Sequence, residues 1–273
     1  MKRYPRWTVL SLSANAILLV AIAYLWQRHP QLTPVQRLGA AFPSNQLMAQ
    51  TPEDEPTELG DRLKLNYQQW VMLLSQEAKV AADTQPDRLY ILLGDSISLW
   101  FPAELLPPQE SWLNQGISGE TSAGLLRRLD LIDDTEPKAI FVMIGINDLL
   151  KGVKDETLIA NQTLIVRYLK RQHPNTKIVL QSILPHSGAK ATWEGRDRLP
   201  QTPNERIRNL NTRLREIAET EGVLFLDLYP LFADEGGALH LNLSSDGLHL
   251  NRNGYQLWQT ALRVFIQARI DDH

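Results

Sequence analysis

Ser96 stands in Gly94-Asp95-Ser96-Ile97-Ser98-Leu99, directly behind the apolar run Arg88–Leu93. A serine that follows a strand and opens a helix carries its backbone N–H at a helix N-terminus, where developing negative charge is favoured. Its hydroxyl is a weak nucleophile and needs a base. The chain has six histidines, His29, His173, His186, His240, His249 and His273. Only His249 follows an acid by three residues in a tight polar setting, Asp246-Gly247-Leu248-His249. There Asp246 can accept the imidazole Nδ1–H, fix the tautomer and leave Nε2 free to take a proton from Ser96. Asn147, in Gly145-Ile146-Asn147-Asp148, can supply a side-chain amide to an oxyanion, and Gly119 and Ser96 can add backbone N–H donors. One such donor is typically worth ~10²–10³ in rate. His240 competes as a base but lacks the acid three residues before it.

Taken singly, these signals are weak. A lone Gly-Asp-Ser reads as a turn, a lone Asn-Asp after a strand as a loop cap, and a lone Asp-x-x-His as a surface turn. What changes the weighing is their joint order, with Gly-Asp-Ser and Asn-Asp each at the end of a predicted strand. Neighbouring polar residues have blander uses. Asp95 reads as a brace for its loop and Asp148 as structural. His186, behind Pro185 at a strand end, is a candidate to line the pocket, and Asp227, ending a strand, is another to face it.

The elements that must position these residues alternate between strand and helix. Leu63 to about Ala82 has helical spacing of Leu63, Tyr67, Trp70, Val71, Leu74, Ala78 and Ala81. Strands are predicted at Arg88–Leu93, Trp112–Ile117, Ala139–Ile144, Lys177–Leu184 and Val223–Leu228. Helices are predicted at Ser122–Ile132, Glu156–Gln172, Asn204–Glu221 and Gly254–Ile270, the second with Leu158, Leu164, Ile165 and Leu169 on its apolar side. Nearly continuous apolar strands separated by helices imply a parallel sheet covered on both faces. In such a sheet, ligands bind at the carboxyl ends of the strands, where Ser96, Gly119 and Asn147 fall. Leu99, Trp100 and Phe101, just after Ser96, and the long loop from Pro185 to Pro203 with Trp193, Glu194, Arg196 and Arg198 are the candidate substrate-facing elements.

Together, Gly94-Asp95-Ser96-Ile97-Ser98-Leu99, Gly119 in Gly-Ile-Ser-Gly-Glu-Thr, Gly145-Ile146-Asn147-Asp148 and Asp246-Gly247-Leu248-His249 resemble the four blocks of the SGNH hydrolases, the GDSL esterase/lipase family. The one departure in the name motif is Ile97 in place of Leu. The resemblance covers about residues 87–265. It implies a flavodoxin-like three-layer α/β/α sandwich with a parallel sheet, and a serine esterase that uses no metal or other cofactor. By carry-over, Ser96 is the nucleophile, His249 the base and Asp246 the orienting acid, with Ser96 N–H, Gly119 N–H and the Asn147 amide as oxyanion hole. Residues Gly94 to Trp100 also look like the branch that includes platelet-activating-factor acetylhydrolase catalytic subunits and bacterial lysophospholipase/thioesterase-like enzymes.

The 273 residues carry 28 Lys+Arg against 31 Asp+Glu. Three of the bases, Lys2, Arg3 and Arg6, lie in residues 1–26, so residues 27–273 hold a net charge of −6. An acidic body is a poor phosphate-backbone binder, which argues against nucleic acid as partner. The absence of cysteine excludes thiol catalysis, disulfides and Cys-ligated metal. No His/Asp/Glu clustering suggests a metal site. Residues 7–26 form an apolar run without charge or proline, long enough as a helix (roughly 30 Å) to cross a bilayer. The positive charges precede it, so the N-terminus is expected in the cytoplasm and the hydrolase domain in the periplasm or outside. A retained signal anchor over residues 1–26 and a signal peptide cleaved near Ala21-Ile22-Ala23, leaving a secreted protein, are both compatible with the run. Residues 27–61 read as a proline-punctuated acidic tether and 62–273 as the hydrolase domain.

The sequence therefore points to a membrane-tethered serine esterase acting on short acyl esters of a lipid, glycan or small molecule. Two rivals remain at this level. One keeps the chemistry but acts on polysaccharide, as an O-acyltransferase or deacetylase. The other is a catalytically idle tethered binding domain, for which a broken set of motif residues would be the sign; here every motif position is filled.

Overall fold

The computed structural model describes residues 65–271. The expected anchor and tether, residues 1–61, and Leu63 lie outside the described residues. Among the described residues no helix is long and apolar enough to cross a membrane.

Five strands form one parallel sheet: β1 (Leu89–Gly94), β2 (Ser111–Gly116), β3 (Ala139–Met143), β4 (Lys177–Gln181) and β5 (Leu224–Leu226), in the order β2-β1-β3-β4-β5. This is the flavodoxin-like order, whose switch point lies between β1 and β3. Every residue of β1 and β3 is buried. Successive strand residues point to opposite faces, so burial of both parities means that both faces are covered. That is why Leu-Tyr-Ile-Leu-Leu and Ala-Ile-Phe-Val-Met carry no polar alternation.

The covering helices are α1 (Tyr67–Thr84), α5 (Asp155–Gln172), α6 (Asn204–Glu221) and α8 (Arg252–Ile266). Short helices α2 (Ser96–Leu99), α3 (Ser122–Leu126), α4 (Ile146–Leu150) and α7 (Tyr229–Phe232) follow β1, β2, β3 and β5. Asn66 opens α1 with a capping box: its side chain accepts from Gln69 N–H while the Gln69 side chain accepts from Asn66 N–H. Helix α1 buries Trp70, Leu74, Ala78 and Ala81 of its predicted stripe, but Tyr67 in its first turn is 43% exposed and Val71 is half-buried. Helix α5 buries Leu158, Ile165 and Leu169, but Leu164 faces out and is 49% exposed. The stripe runs 158-162-165-166-169, and residue 164 falls one helical step off it.

Three predicted elements are shorter than expected because polar groups claim the backbone. Ser122–Ile132 breaks into α3 and a 3₁₀ turn at Leu129–Ile132, since Arg128 leaves helical geometry to reach the strand ends. Strand β4 stops at Gln181, and Asn211 takes both Ile183 N–H and Ile183 C=O beyond it. Strand β5 stops at Leu226, after which Leu228 and Tyr229 N–H both donate to Ser182 Oγ.

An aromatic cluster fills the centre. Phe141 on β3 sits 6.4 Å from Tyr90, 5.9 Å from Trp112 and 6.4 Å from Phe265, ring centroid to centroid. Its side chain is fully buried. Truncating such a residue removes transfer energy and leaves a cavity. Phe141→Ala is therefore expected to lower unfolding free energy by about 3–5 kcal/mol in equilibrium denaturation, and a loss below about 1 kcal/mol would contradict this packing.

Candidate active site

The register brings the site together. Gly94 pairs with Gly116 of β2 and with Met143 of β3, so the three strands end at one level. Ser96, Gly119 and Asn147 follow these ends within a few residues. The ends approach closely enough to require glycine. A Cβ on Gly94 would lie 2.3 Å from Ser98 Oγ and 2.4 Å from Met143 O, and one on Gly116 would lie 2.4 Å from Leu99 N.

Asp95 caps α2, its Oδ1 accepting Ile97 N–H at 3.0 Å. This turn places Ser96 at the first position of the helix, among the N–H groups that lack an intrahelical acceptor. Ser96 Oγ lies 3.1 Å from His249 Nε2, and His249 Nδ1 lies 2.8 Å from Asp246 Oδ2. Asp246 Oδ1 accepts the backbone N–H of both Leu248 and His249. Partial burial works to raise the Asp246 pKa, but these hydrogen bonds from His249 and Leu248 outweigh it and hold the carboxyl below its ordinary value. Asp246 thus stays ionised beside an imidazole whose Nε2 faces a serine hydroxyl, the arrangement that lets a hydroxyl be deprotonated during attack.

Asn147, on α4, has a buried side-chain amide Nδ2 with no hydrogen-bond partner among the described residues. A buried donor left unpaired is costly unless a ligand completes it. Gly119 sits at φ 73°, a left-handed backbone for which glycine is suited, and a Cβ there would meet nothing within 4 Å. Its carbonyl accepts Lys151 Nζ at 2.7 Å.

Of the candidate substrate contacts, two flank His249. The Trp100 ring lies 4.2 Å from the imidazole, and Trp193 meets it edge-on at 6.4 Å. Trp193 is carried on the 185–203 loop, which is tied down by Thr192 and Trp193 N–H donating to Asp246 C=O. The other candidates are turned into the fold. Leu99 packs against the buried cluster of Trp70, Leu74 and Ile117, and Phe101 is buried beside Tyr255 and Trp258. His186 is 3% exposed; its Nε2 lies 2.6 Å from Thr202 C=O and its Nδ1 accepts Gly188 N–H. Burial depresses its pKa, with the Thr202 bond opposing, and both ring nitrogens are occupied in bracing its own loop. The rival base His240 is exposed, and Asp227 pairs at 2.5 Å with Arg215 on the surface.

Supporting residues brace these turns: Arg128 and Tyr255 carry no local sequence signal, whereas Asp148 has the structural use its sequence setting suggests. Arg128 forms a buried ion pair with Glu120 at 2.8 Å and donates to Gln115 C=O. Asp148 accepts both Ser122 N–H and Ser122 Oγ–H, which ties α4 to α3. Tyr255 on α8 donates its hydroxyl to Ile97 C=O at 3.0 Å, bracing the turn under Ser96.

The profile of the GDSL-like Lipase/Acylhydrolase family matches residues 92–257, a span that contains Ser96, Gly119, Asn147, Asp246 and His249. The chain is 25% identical over 198 residues to the platelet-activating factor acetylhydrolase IB subunit alpha2 of Gallus gallus, covering 68% of this chain and 78% of that protein. It is 24% identical over 129 residues to an arylesterase of Vibrio mimicus, covering 41% of this chain and 63% of the relative. A solved structure from Streptococcus pneumonia, named for platelet activating factor, matches with a TM-score of 0.62 at 27% identity over 73% of this chain and 95% of that one.

Asp95 gives the site a pH signature. Its burial pushes the carboxyl pKa up to about 7, opposed by the Ile97 N–H and by His249. The unfolded value is about 3.9, so the folded state holds this proton more tightly. The associated stability is full below about pH 4 and lost as pH rises through about 7. The Tm of Asp95→Asn minus that of the wild type should therefore increase between pH 5 and pH 8 in thermal denaturation. A difference that stays flat across that range would contradict the buried, proton-holding carboxyl.

Proposed function

The chain belongs to the GDSL-like lipase/acylhydrolase family and is an ester-hydrolysing enzyme, and on that premise we propose that Ser96, His249 and Asp246 hydrolyse short acyl esters through an acyl-enzyme. Ser96 Oγ attacks the ester carbonyl as its proton passes to His249 Nε2. Asp246 stabilises the imidazolium that forms. The tetrahedral oxyanion takes hydrogen bonds from Ser96 N–H, Gly119 N–H and Asn147 Nδ2–H. Collapse breaks the ester C–O bond, and His249 Nε2–H protonates the departing alkoxide. Water then attacks the acyl-Ser96 carbonyl with His249 again as base; the bond to Ser96 Oγ breaks, His249 returns the proton to that oxygen, and the carboxylic acid leaves.

The observation that carries this reading is the hydrogen-bonded line from Ser96 Oγ through His249 to Asp246, at 3.1 and 2.8 Å. The buried Asn147 amide, still without an acceptor, supports its oxyanion role. Trp100 and Trp193 crowd His249, which favours a short acyl or alcohol arm. The name of one relative, an acetylhydrolase, agrees with a small acyl group. The charge-free stretch from Trp7 to Trp26, behind Lys2, Arg3 and Arg6, supports a further reading, in which the enzyme is held at a membrane with its hydrolase domain on the extracytoplasmic side.

The test is hydrolysis of p-nitrophenyl acetate, butyrate and octanoate. Acetate and butyrate should outrun octanoate. Ser96→Ala should fall to background, and Asn147→Ala should lower kcat by roughly 10²–10³. Wild-type rates in Ser96→Ala would overturn the assignment.

A further inference from the structure

Beside Gly119 lies a cavity of about 190 Å³, walled by residues 118–121 together with Tyr67, Arg127 and Lys151. Its charge is uneven. The one acid in the wall is Glu120, and its carboxylate is already engaged: Oε2 accepts Arg128 Nε at 2.8 Å and Oε1 accepts Thr121 N–H, with both charged side chains 3% exposed. That pair is neutral as a unit. The two remaining charges are both positive. Lys151 Nζ sits 2.7 Å from Gly119 C=O, so its ammonium lies within one peptide unit of the Gly119 N–H. Its other donors remain free to serve a ligand. Arg127 is exposed and has neither an acid nor an acceptor among the described residues. An isolated surface arginine is ordinarily just solvated. Here it shares a concave wall with a second cation and with the hydroxyls of Tyr67 and Ser118, on a chain whose residues 27–273 are net acidic.

We propose that this cavity is an anion subsite of the esterase, and that the preferred substrate is an ester bearing a carboxylate, phosphate or sulfate a few bonds from the scissile carbonyl. This rests on the reading of Ser96 and the Gly119 N–H as the reacting centre. The negative group lies between the Arg127 guanidinium and the Lys151 ammonium. Arg127 offers a planar pair of donors suited to such oxygens, and Tyr67 and Ser118, which share the wall, carry hydroxyls that can add to them. Lys151 has a second effect. By holding Gly119 C=O, it fixes the peptide whose neighbouring N–H faces the oxyanion, so binding of the anion and orientation of the donor share one side chain. Arg127 has no such tie, which makes it the cleaner residue to vary.

The experiment uses two matched ester pairs: monophenyl glutarate against phenyl valerate, with the charge on the acyl arm, and 4-acetoxybenzoate against its methyl ester, with the charge on the alcohol arm. The wild type should prefer the anionic member of one pair by about tenfold to a hundredfold in kcat/KM, the scale of a charge-assisted hydrogen bond, and mainly through KM. The preference should shrink with added salt. In Arg127→Gln the anionic-to-neutral ratio should fall about tenfold, Arg127→Lys should recover part of it, and Arg127→Glu should invert it. Binding is read separately, as the thermal shift of Ser96→Ala protein on adding glutarate or inorganic phosphate. The shift should be present there and lost when Arg127→Gln is added. Equal kcat/KM within both pairs, or a preference that survives Arg127→Gln, would overturn the subsite. If neither member of any pair turned over while glutarate still shifted Tm through Arg127, the anion site would stand and the serine-esterase reading would fall instead.

Discussion

A single buried ion pair holds the parts of this site in one frame. Arg128 and Glu120 meet at 2.8 Å with side chains only 3% exposed. Burying two charges is unfavourable unless their attraction is supplemented by hydrogen bonds that satisfy the remaining donors and acceptors. Here the guanidinium also donates to Gln115 C=O near the end of β2 and reaches Gly94 C=O at the end of β1. Glu120 also accepts Thr121 N–H. The pair therefore fastens two strand ends to the loop that carries Gly119. Its space is reserved by Gly124, where a Cβ would lie 1.7 Å from Glu120 Oε1. Removing one partner would strand a buried charge, a change that generally costs about 3–5 kcal/mol.

The second half of the site is held from the other end of the chain. Residues 244–251 turn tightly: Ser244 Oγ accepts Gly247 N–H and donates to His249 C=O, while Asp246 takes the N–H groups of Leu248 and His249. Helix α8 then begins at its Asn251 cap and sends Tyr255 back to Ile97 C=O. The segment bearing His249 is thus anchored to the turn bearing Ser96 at two places, one through the Ser96–His249 contact and one through Tyr255. Rigid elements positioning a few loop side chains is the arrangement that open α/β sheets favour at their strand ends.

Much of this was legible in the sequence, and the limits have physical causes. The five strands stood out because burial on both faces demands continuous apolar runs. The site stood out because small and polar residues interrupted the first three of those runs, at Ser96, Gly119 and Asn147. His249 could be singled out from six histidines because an acid three residues away is a local feature. What pattern alone misplaced was orientation. Leu164 belongs to an apolar-looking stretch but falls off the buried stripe, and His186 sits at a strand end yet spends both ring nitrogens on Thr202 and Gly188. What it missed altogether was long-range support. Arg128 reads as one more base on a helix until the fold brings it to Glu120 and two strand ends, and Tyr255 lies 158 residues from the carbonyl it holds.

Hydrolysis by the proposed route requires Ser96 to become covalently acylated. The most direct measurement is acid quenching of the enzyme during turnover of p-nitrophenyl acetate, followed by peptide mass spectrometry of the digest. The account predicts an acetyl group on the peptide containing Ser96, assigned to the Ser96 hydroxyl and absent in Ser96→Ala. Formation of the adduct should be much slower in Asp246→Asn or His249→Gln than in the wild type. An acetyl group settled on another side chain, or steady hydrolysis with Ser96 never modified, would contradict it.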